Sequence, residues 1–187
     1  MTARFFNRSS SKTKRIITIA IFFAFTIVAT CVGAIQTLSQ QEATQITNDL
    51  NQLRNNITIQ YVFGNNLFIC LMMFIPVVGW VLGFWVLYNT GVVIAAQGMS
   101  ASAHGVPALA LFFALFIFPF TWLEFISYSV GLAESFWLTF RFIQSFASKG
   151  ISFKRELKNA STLITIVTLM LLVAAIIEVV LIMATGS

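Results

Sequence analysis

The sequence specifies an all-α fold, a polytopic transmembrane helical bundle of about five full crossings plus one broken or re-entrant helical element. Three observations lead there. The chain is 58% hydrophobic and only 9% charged, with a mean hydropathy of +0.90, far from the composition of a water-soluble domain. Its 187 residues form a single membrane domain, 1–187, with no room for a separate soluble catalytic module. Its cations gather in two blocks that flank apolar runs.

Arg4, Arg8, Lys12, Lys14 and Arg15 make a basic tail over 1–15, and Arg141, Lys149, Lys154, Arg155 and Lys158 a basic loop over 141–158. Both fit cytoplasmic flanks under the positive-inside rule and can touch anionic headgroups. The chain is therefore expected in the cell membrane, multi-pass, with a cytoplasmic N-terminus. Its net charge of +5 reads as topology and not as nucleic-acid binding, because no zinc-finger spacing, phosphate-cradling loop or recognition helix accompanies it.

The first apolar run, from about Ile16 to Ile35, has close to the roughly 20 residues a helix needs to cross hydrocarbon. Its basic start resembles a signal peptide, yet the apolar core is long and no small-x-small site closes it, so a retained anchor is expected. The stretch 36–60 carries Glu42, Asp49 and Arg54 with no positive excess, as an external loop would. Within it Ile46, Leu50, Leu53 and Ile57 recur at helical spacing, giving a short amphipathic helix against the membrane or the bundle. Asn56-Ile57-Thr58 forms a glycosylation sequon, usable only in an organism that glycosylates exported loops.

From Tyr61 to Ala96 the chain is almost continuously apolar, too long for one upright crossing. Gly79 and Gly83, near Pro76, mark a close packing contact or a tight break, and two crossings are expected. Asn65, Asn66 and Asn89 then place amides inside an apolar bundle, for interhelical hydrogen bonds or for contact with substrate or lipid headgroups. Gln97 to Val106 reads as a small-residue connection holding Gly98, Gly105 and the lone His104. A second long apolar region, Pro107 to about Phe146, is interrupted by Pro119, Glu124, Gly131 and Glu134. Proline cannot donate the helical hydrogen bond, so a kink or break is expected near Pro119. A terminal helix over Leu163 to Met183 completes the set.

Parity constrains the count. With both basic blocks inside and 36–60 outside, an odd number of crossings must join that loop to the second block. Two hairpins would give four, so three crossings plus a bent or re-entrant piece around Pro119 are expected.

Glu124, Glu134 and Glu178 stand in stretches long enough to enter a bilayer, with no Lys or Arg close beside them in sequence. An ionised carboxylate there needs a partner, water or an ion. Together with Asn65, Asn66 and Asn89 they form the expected intramembrane polar network. Glu124 and Glu134, ten residues apart, would lie about 15 Å apart along one unbroken helix and so could not share a metal. His104 reads as a loop residue, and Ser100, Ser102 and His104 lack an orienting acid or nucleophile elbow. No catalytic residue, metal or cofactor is expected. Trp80, Trp85, Trp122 and Trp137 suit headgroup levels or helix packing, and Cys31 and Cys70 unpaired packing positions.

The succession Phe63-Gly64-Asn65-Asn66, Gly79, Gly83, Leu87-Tyr88-Asn89-Thr90-Gly91, Pro119-Phe120-Thr121-Trp122-Leu123-Glu124 and Gly131 resembles the stage II sporulation protein M family of integral membrane proteins. Members commonly carry Asn-Gly where this chain has Asn89-Thr90-Gly91, and Pro-His-Gly where it has Pro119-Phe120-Thr121. The resemblance implies a polytopic membrane protein with Asn65, Asn66, Asn89, Glu124 and Gly131 at signature positions, and no soluble cofactor. Gly79, Gly83, Gly91, Pro119 and Gly131 are the expected packing positions.

The expected function is a noncatalytic integral membrane subunit or envelope-assembly component. Its partners would be the lipid bilayer and other integral membrane subunits, and one form it would take is an accessory subunit of a larger membrane enzyme such as an ammonia or methane monooxygenase. The alternative is a small-molecule or ion transporter that uses intramembrane carboxylates beside a broken helix.

Overall fold

A computed structural model describes residues 11–54, 57–101, 106–147 and 153–185. Asn56, Ser102, His104, Gly105 and Lys149 lie outside the described residues, as do Arg4 and Arg8. The described chain forms helices α1 (Ser11–Ala34), α2 (Gln40–Arg54), α3 (Ile59–Met73), α4 (Gly79–Ala101), α5 (Ala108–Leu115), α6 (Pro119–Ala147) and α7 (Phe153–Thr185). Three of them, α1, α4 and α7, are each long and apolar enough to cross a membrane. The pair α5 and α6 qualifies together but is bent by 90°, and α3 is apolar but only 15 residues long. The architecture is thus an all-α, polytopic membrane bundle with three clear spans and one broken pair.

α6 is the central strut. Its contacts with α3 and the following turn rise in step: Asn66 with Glu124, Cys70 with Ser127, Ile75 with Ser135, Val77 with Thr139. Helices whose contacts advance together run parallel. α1 runs antiparallel to α6, since Arg15 meets Glu134 and Phe23 stacks on Trp122. Leu132, Met73, Leu87, Phe112, Val167 and Leu171, all essentially inaccessible, fill the space between helices.

α1 and α4 also lie parallel, and they touch backbone to backbone. A Cβ on Gly33 would land on the Tyr88 carbonyl, and one on Gly91 on the Thr30 carbonyl. Only glycines admit this approach, the small-residue packing by which membrane helices associate without a hydrophobic drive. Gly91 is one of the packing positions expected from the sequence, whereas its partner Gly33 carries no such local signal. Gly131 fits against Met73 and the Cys70 carbonyl, and Gly83 against Leu132 and Met73.

The turn joining α3 to α4 stores strain. Val77 has φ 68, a left-handed conformation in which a β-branched residue is crowded. Val78 N–H bonds back to the Pro76 carbonyl at 2.8 Å, closing a γ-turn around it. α6 holds this turn from outside: Ser135 Oγ donates to the Ile75 carbonyl at 2.6 Å, and Val77 N–H donates to Thr139 Oγ1 at 2.6 Å. Gly79 follows at the start of α4, where a Cβ would fall on the Met73 carbonyl.

α2 starts with a capping box. Ser39 Oγ and N–H both donate to Glu42 Oε2, at 2.7 and 2.8 Å, and Glu42 N–H donates to Ser39 Oγ at 3.3 Å. The helix docks on the end of α4, where Thr47 Oγ1 lies 3.1 Å from Ser100 Oγ. Its contact residue is the buried Ala43, with Ile46 and Leu50 half-buried and Leu53 exposed, so the docked stripe begins a turn earlier than the spacing of apolar residues suggests. α4 continues through Ala101, into the stretch expected to be a connection.

Two predictions follow from these local contacts. Thr139→Val keeps the shape but removes the acceptor for Val77 N–H, and should lower stability by about 1–3 kcal/mol in thermal unfolding in detergent, while Thr139→Ser stays near wild type. The bonds from the Ser39 side chain, then from its backbone, hold the Glu42 carboxyl below its ordinary 4.5. The cap is complete above pH 4.5 and fails as the pH drops through the lowered folded value. Amide exchange in the first turn of α2 should accelerate over that window, and Glu42→Gln should remove the pH dependence.

Candidate functional site

Two clusters of polar side chains lie between the helices, one near the basic end and one farther along α6. The first joins three helices. Arg15, in the second turn of α1, donates from Nη1 to Glu134 Oε1 of α6 and from Nη2 to Glu156 Oε2 of α7. Arg141, two turns beyond Glu134, has its Nε 3.7 Å from Glu156 Oε1 and its guanidinium 6.0 Å from the Trp137 ring centre. Two arginines and two glutamates cancel in charge, and both carboxylates are nearly inaccessible. Buried ions persist only when paired in this way. Glu134 Oε2, Trp137 Nε1 and Arg141 Nε are buried without a hydrogen-bond partner among the protein atoms.

The second cluster lies about 15 Å away, the rise of the ten residues from Glu134 to Glu124 along α6. Asn66 Nδ2 of α3 donates to Glu124 Oε1 at 2.5 Å. Glu178 of α7 is near enough for its carboxylate to interact electrostatically with that of Glu124, and Tyr128, one turn along from Glu124, is in range of both. Cys70 Sγ donates to the Ser127 carbonyl at 3.5 Å. Three helices therefore converge on Glu124, as they do on Glu134.

The sequence-predicted residues divide among these places. Asn66, Glu124 and Glu178 come together, while Glu134 belongs to the arginine cluster. Asn65 is exposed and reaches Asn66 Oδ1 only at 3.4 Å. Asn89 turns back on its own helix, donating to the Trp85 carbonyl one turn earlier at 2.7 Å, and joins neither cluster. Arg15 and Glu156 carry no site signal in the sequence, because Arg15 stands 119 positions from Glu134 and 141 from Glu156.

A family model for stage II sporulation protein M matches residues 18–181, most of the chain. The chain belongs to the stage II sporulation protein M family. No curated protein and no solved structure matches it significantly. Asn66 and Glu124 are in direct contact, and Gly131 lies two turns along α6 from Glu124, against α3.

The helix break falls where Pro119 implies. α5 ends at Leu115, and the N–H groups of Phe116, Ile117 and Phe118 bond three residues back to Phe113, Ala114 and Leu115 at 3.0 to 3.1 Å. α6 then opens on Pro119, a residue suited to a first helical turn because it needs no N–H partner. Thr121 Oγ1 donates to the Leu115 carbonyl and Trp122 Nε1 to the Phe116 carbonyl, both at 2.8 Å. Trp122 thereby meets a carbonyl that the bend leaves without a backbone donor, a need that is acute at membrane depth, and Thr121 adds a second bond at the Leu115 carbonyl, which Phe118 N–H already reaches. Thr121 therefore serves the elbow. Among the described residues, no group of three or more His, Cys, Asp or Glu is arranged to hold a metal ion.

Breaking one side of the ion cluster leaves a buried charge. Arg15→Met should therefore cost about 3–5 kcal/mol in unfolding measured in detergent, and adding Glu134→Leu to Arg15→Met should recover part of that loss.

Proposed function

We propose that this chain is a noncatalytic component of a membrane protein complex or envelope-assembly system, held against partner subunits through the outward face of α3. The observation that carries this reading is the pairing of Gly64 and Asn65. Both are exposed, and a Cβ on Gly64 would meet nothing within 4 Å. A glycine notch beside an amide is the combination that brings membrane helices close and fixes them by a hydrogen bond. The ionic groups support the same role, since Arg15, Arg141, Glu134 and Glu156 close on one another and leave mainly apolar surface outside. An accessory subunit of a larger membrane enzyme such as a monooxygenase is one form this role would take.

The same reading places five crossings, formed by α1, α3, α4, the bent α5–α6 pair and α7, with the N-terminus cytoplasmic. Arg15, Arg141 and Glu156 then share the inner end, with the basic tail 1–15 and basic loop 141–158. Thr47 and Ser100 share the outer one, with α2 in the external segment 36–60. The positive-inside rule selects this orientation.

The approach of Glu178 to Glu124 supports a second reading, a small-molecule or ion transporter using intramembrane carboxylates. Mild-detergent purification from the native host separates the two. Asn65→Leu should abolish recovery of stoichiometric partners while shifting stability by no more than about 0.5 kcal/mol. Glu124→Ala should strand Asn66 and lower both stability and partner recovery, more than Glu42→Ala does. An isolated chain with saturable flux in proteoliposomes, lost in a stably folded Glu124→Gln, would replace the complex-subunit reading with the transporter.

A further inference from the structure

α3 and α7 touch at the end of the bundle away from Arg15, where Val62 packs on Ala175 and Val179. Toward the basic end they part. Between them opens a groove of about 410 Å³, walled by Leu71 and Ile75 on one side and Leu157 and Ser161 on the other, over a floor of Leu138 and Ala160. The floor is buried, at 5% and 4% exposure, whereas the wall residues Leu71, Ile75 and Leu157 are open to the surroundings. In a membrane protein, a groove so placed faces acyl chains.

Size and charge select its occupant. From Leu157 to the groove's far residue Ile164 the rise is about 10 Å, and the floor at Leu138 and Ala160 is nearly closed over, a narrow opening against the roughly 10–12 Å width of a helix. A partner helix would therefore rest on the rims and leave Leu138 and Ala160 uncovered. A single alkyl chain reaches the floor. Lys158 is exposed on α7 next to Leu157, and Ser161 stands one turn deeper on a neighbouring face. That order, a cation, then a hydroxyl, then apolar wall, matches a phosphate, a glycerol ester and an acyl chain.

We infer that this groove binds one anionic phospholipid of the leaflet at the basic end, its phosphate at Lys158 and one acyl chain between α3 and α7. The site is separate from the outward face of α3 at Gly64 and Asn65, and it stands whether or not that face binds a partner.

Native mass spectrometry of the purified full chain, with phosphatidylglycerol or phosphatidylethanolamine added to delipidated protein, tests this. The wild type should retain one phosphatidylglycerol in preference to phosphatidylethanolamine. Ser161→Trp, which fills the groove from an exposed position, should lose that lipid. Val180→Trp, exposed on the same helix outside the groove, should keep it. Lys158→Ala should weaken phosphatidylglycerol retention about fivefold, the contribution of one cation near a lipid phosphate, and leave phosphatidylethanolamine unchanged. Should Ser161→Trp prove unstable by thermal unfolding, Leu71→Trp blocks the opposite wall and must give the same loss. Undiminished retention in the groove-filling variants overturns the inference. So does equal binding of the two lipids, or a polypeptide in place of lipid cross-linked at Ser161→Cys.

Discussion

The bundle depends on one arginine. Arg15 stands at the start of the first apolar helix and holds a carboxylate from each of two later helices, Glu134 and Glu156. An isolated charge in that position would be driven toward water, and so would either glutamate. Joined, they fix the depth of α1 against the α6–α7 hairpin, because sliding any one helix by a turn would part the charges. The parallel contact of α1 with α4 then inherits this register, which is why two glycines 58 residues apart can meet backbone to backbone.

A second constraint is that bent backbone within a membrane must find its hydrogen bonds inside the protein. This chain meets it twice with the same helix. The first turn of α6 supplies Thr121 and Trp122 to the elbow behind it, and Ser135 and Thr139, about four and five turns farther along, hold the strained turn at Val77. Both irregular segments therefore lean on one continuous helix. Ser127 and Ser129, between them, return their hydroxyls to carbonyls of α6 itself, at 2.7 and 2.6 Å, and so add no polar demand on their neighbours.

Much of this was legible in the sequence, and what was missed has a common physical cause. Run length showed α1, α4 and α7, and Pro119 showed the break, because both are local properties of the chain. Glu124 stood out because a carboxylate in an apolar run is conspicuous by itself. The partner of Glu134 was hidden because Arg15 has an ordinary explanation as part of a basic flank, and nothing local ties it to a helix 119 residues away. Gly33 was hidden for a similar reason: one glycine in an apolar run gains meaning only when another backbone arrives. Asn89 misleads in the opposite direction, since its amide turns back to its own helix and leaves the network to Asn66. Val77 carried no signal, being an ordinary residue in an extraordinary conformation.

The parallel run of α1 and α4, and the span from Arg15 to Glu134, also set a schedule for biogenesis. A helix usually gains its partner from the segment made next, but α1 must wait for helices made much later. At roughly 5–20 residues per second, the 119 positions between Arg15 and Glu134 take about 6 to 24 s to synthesise. Until α4 emerges α1 sits in lipid with its glycine notch open, and through the whole interval its arginine is held near the headgroups by its long stem. α1 is thus made before the helices that lock it in place, and any factor that shields it must stay until α6 has emerged.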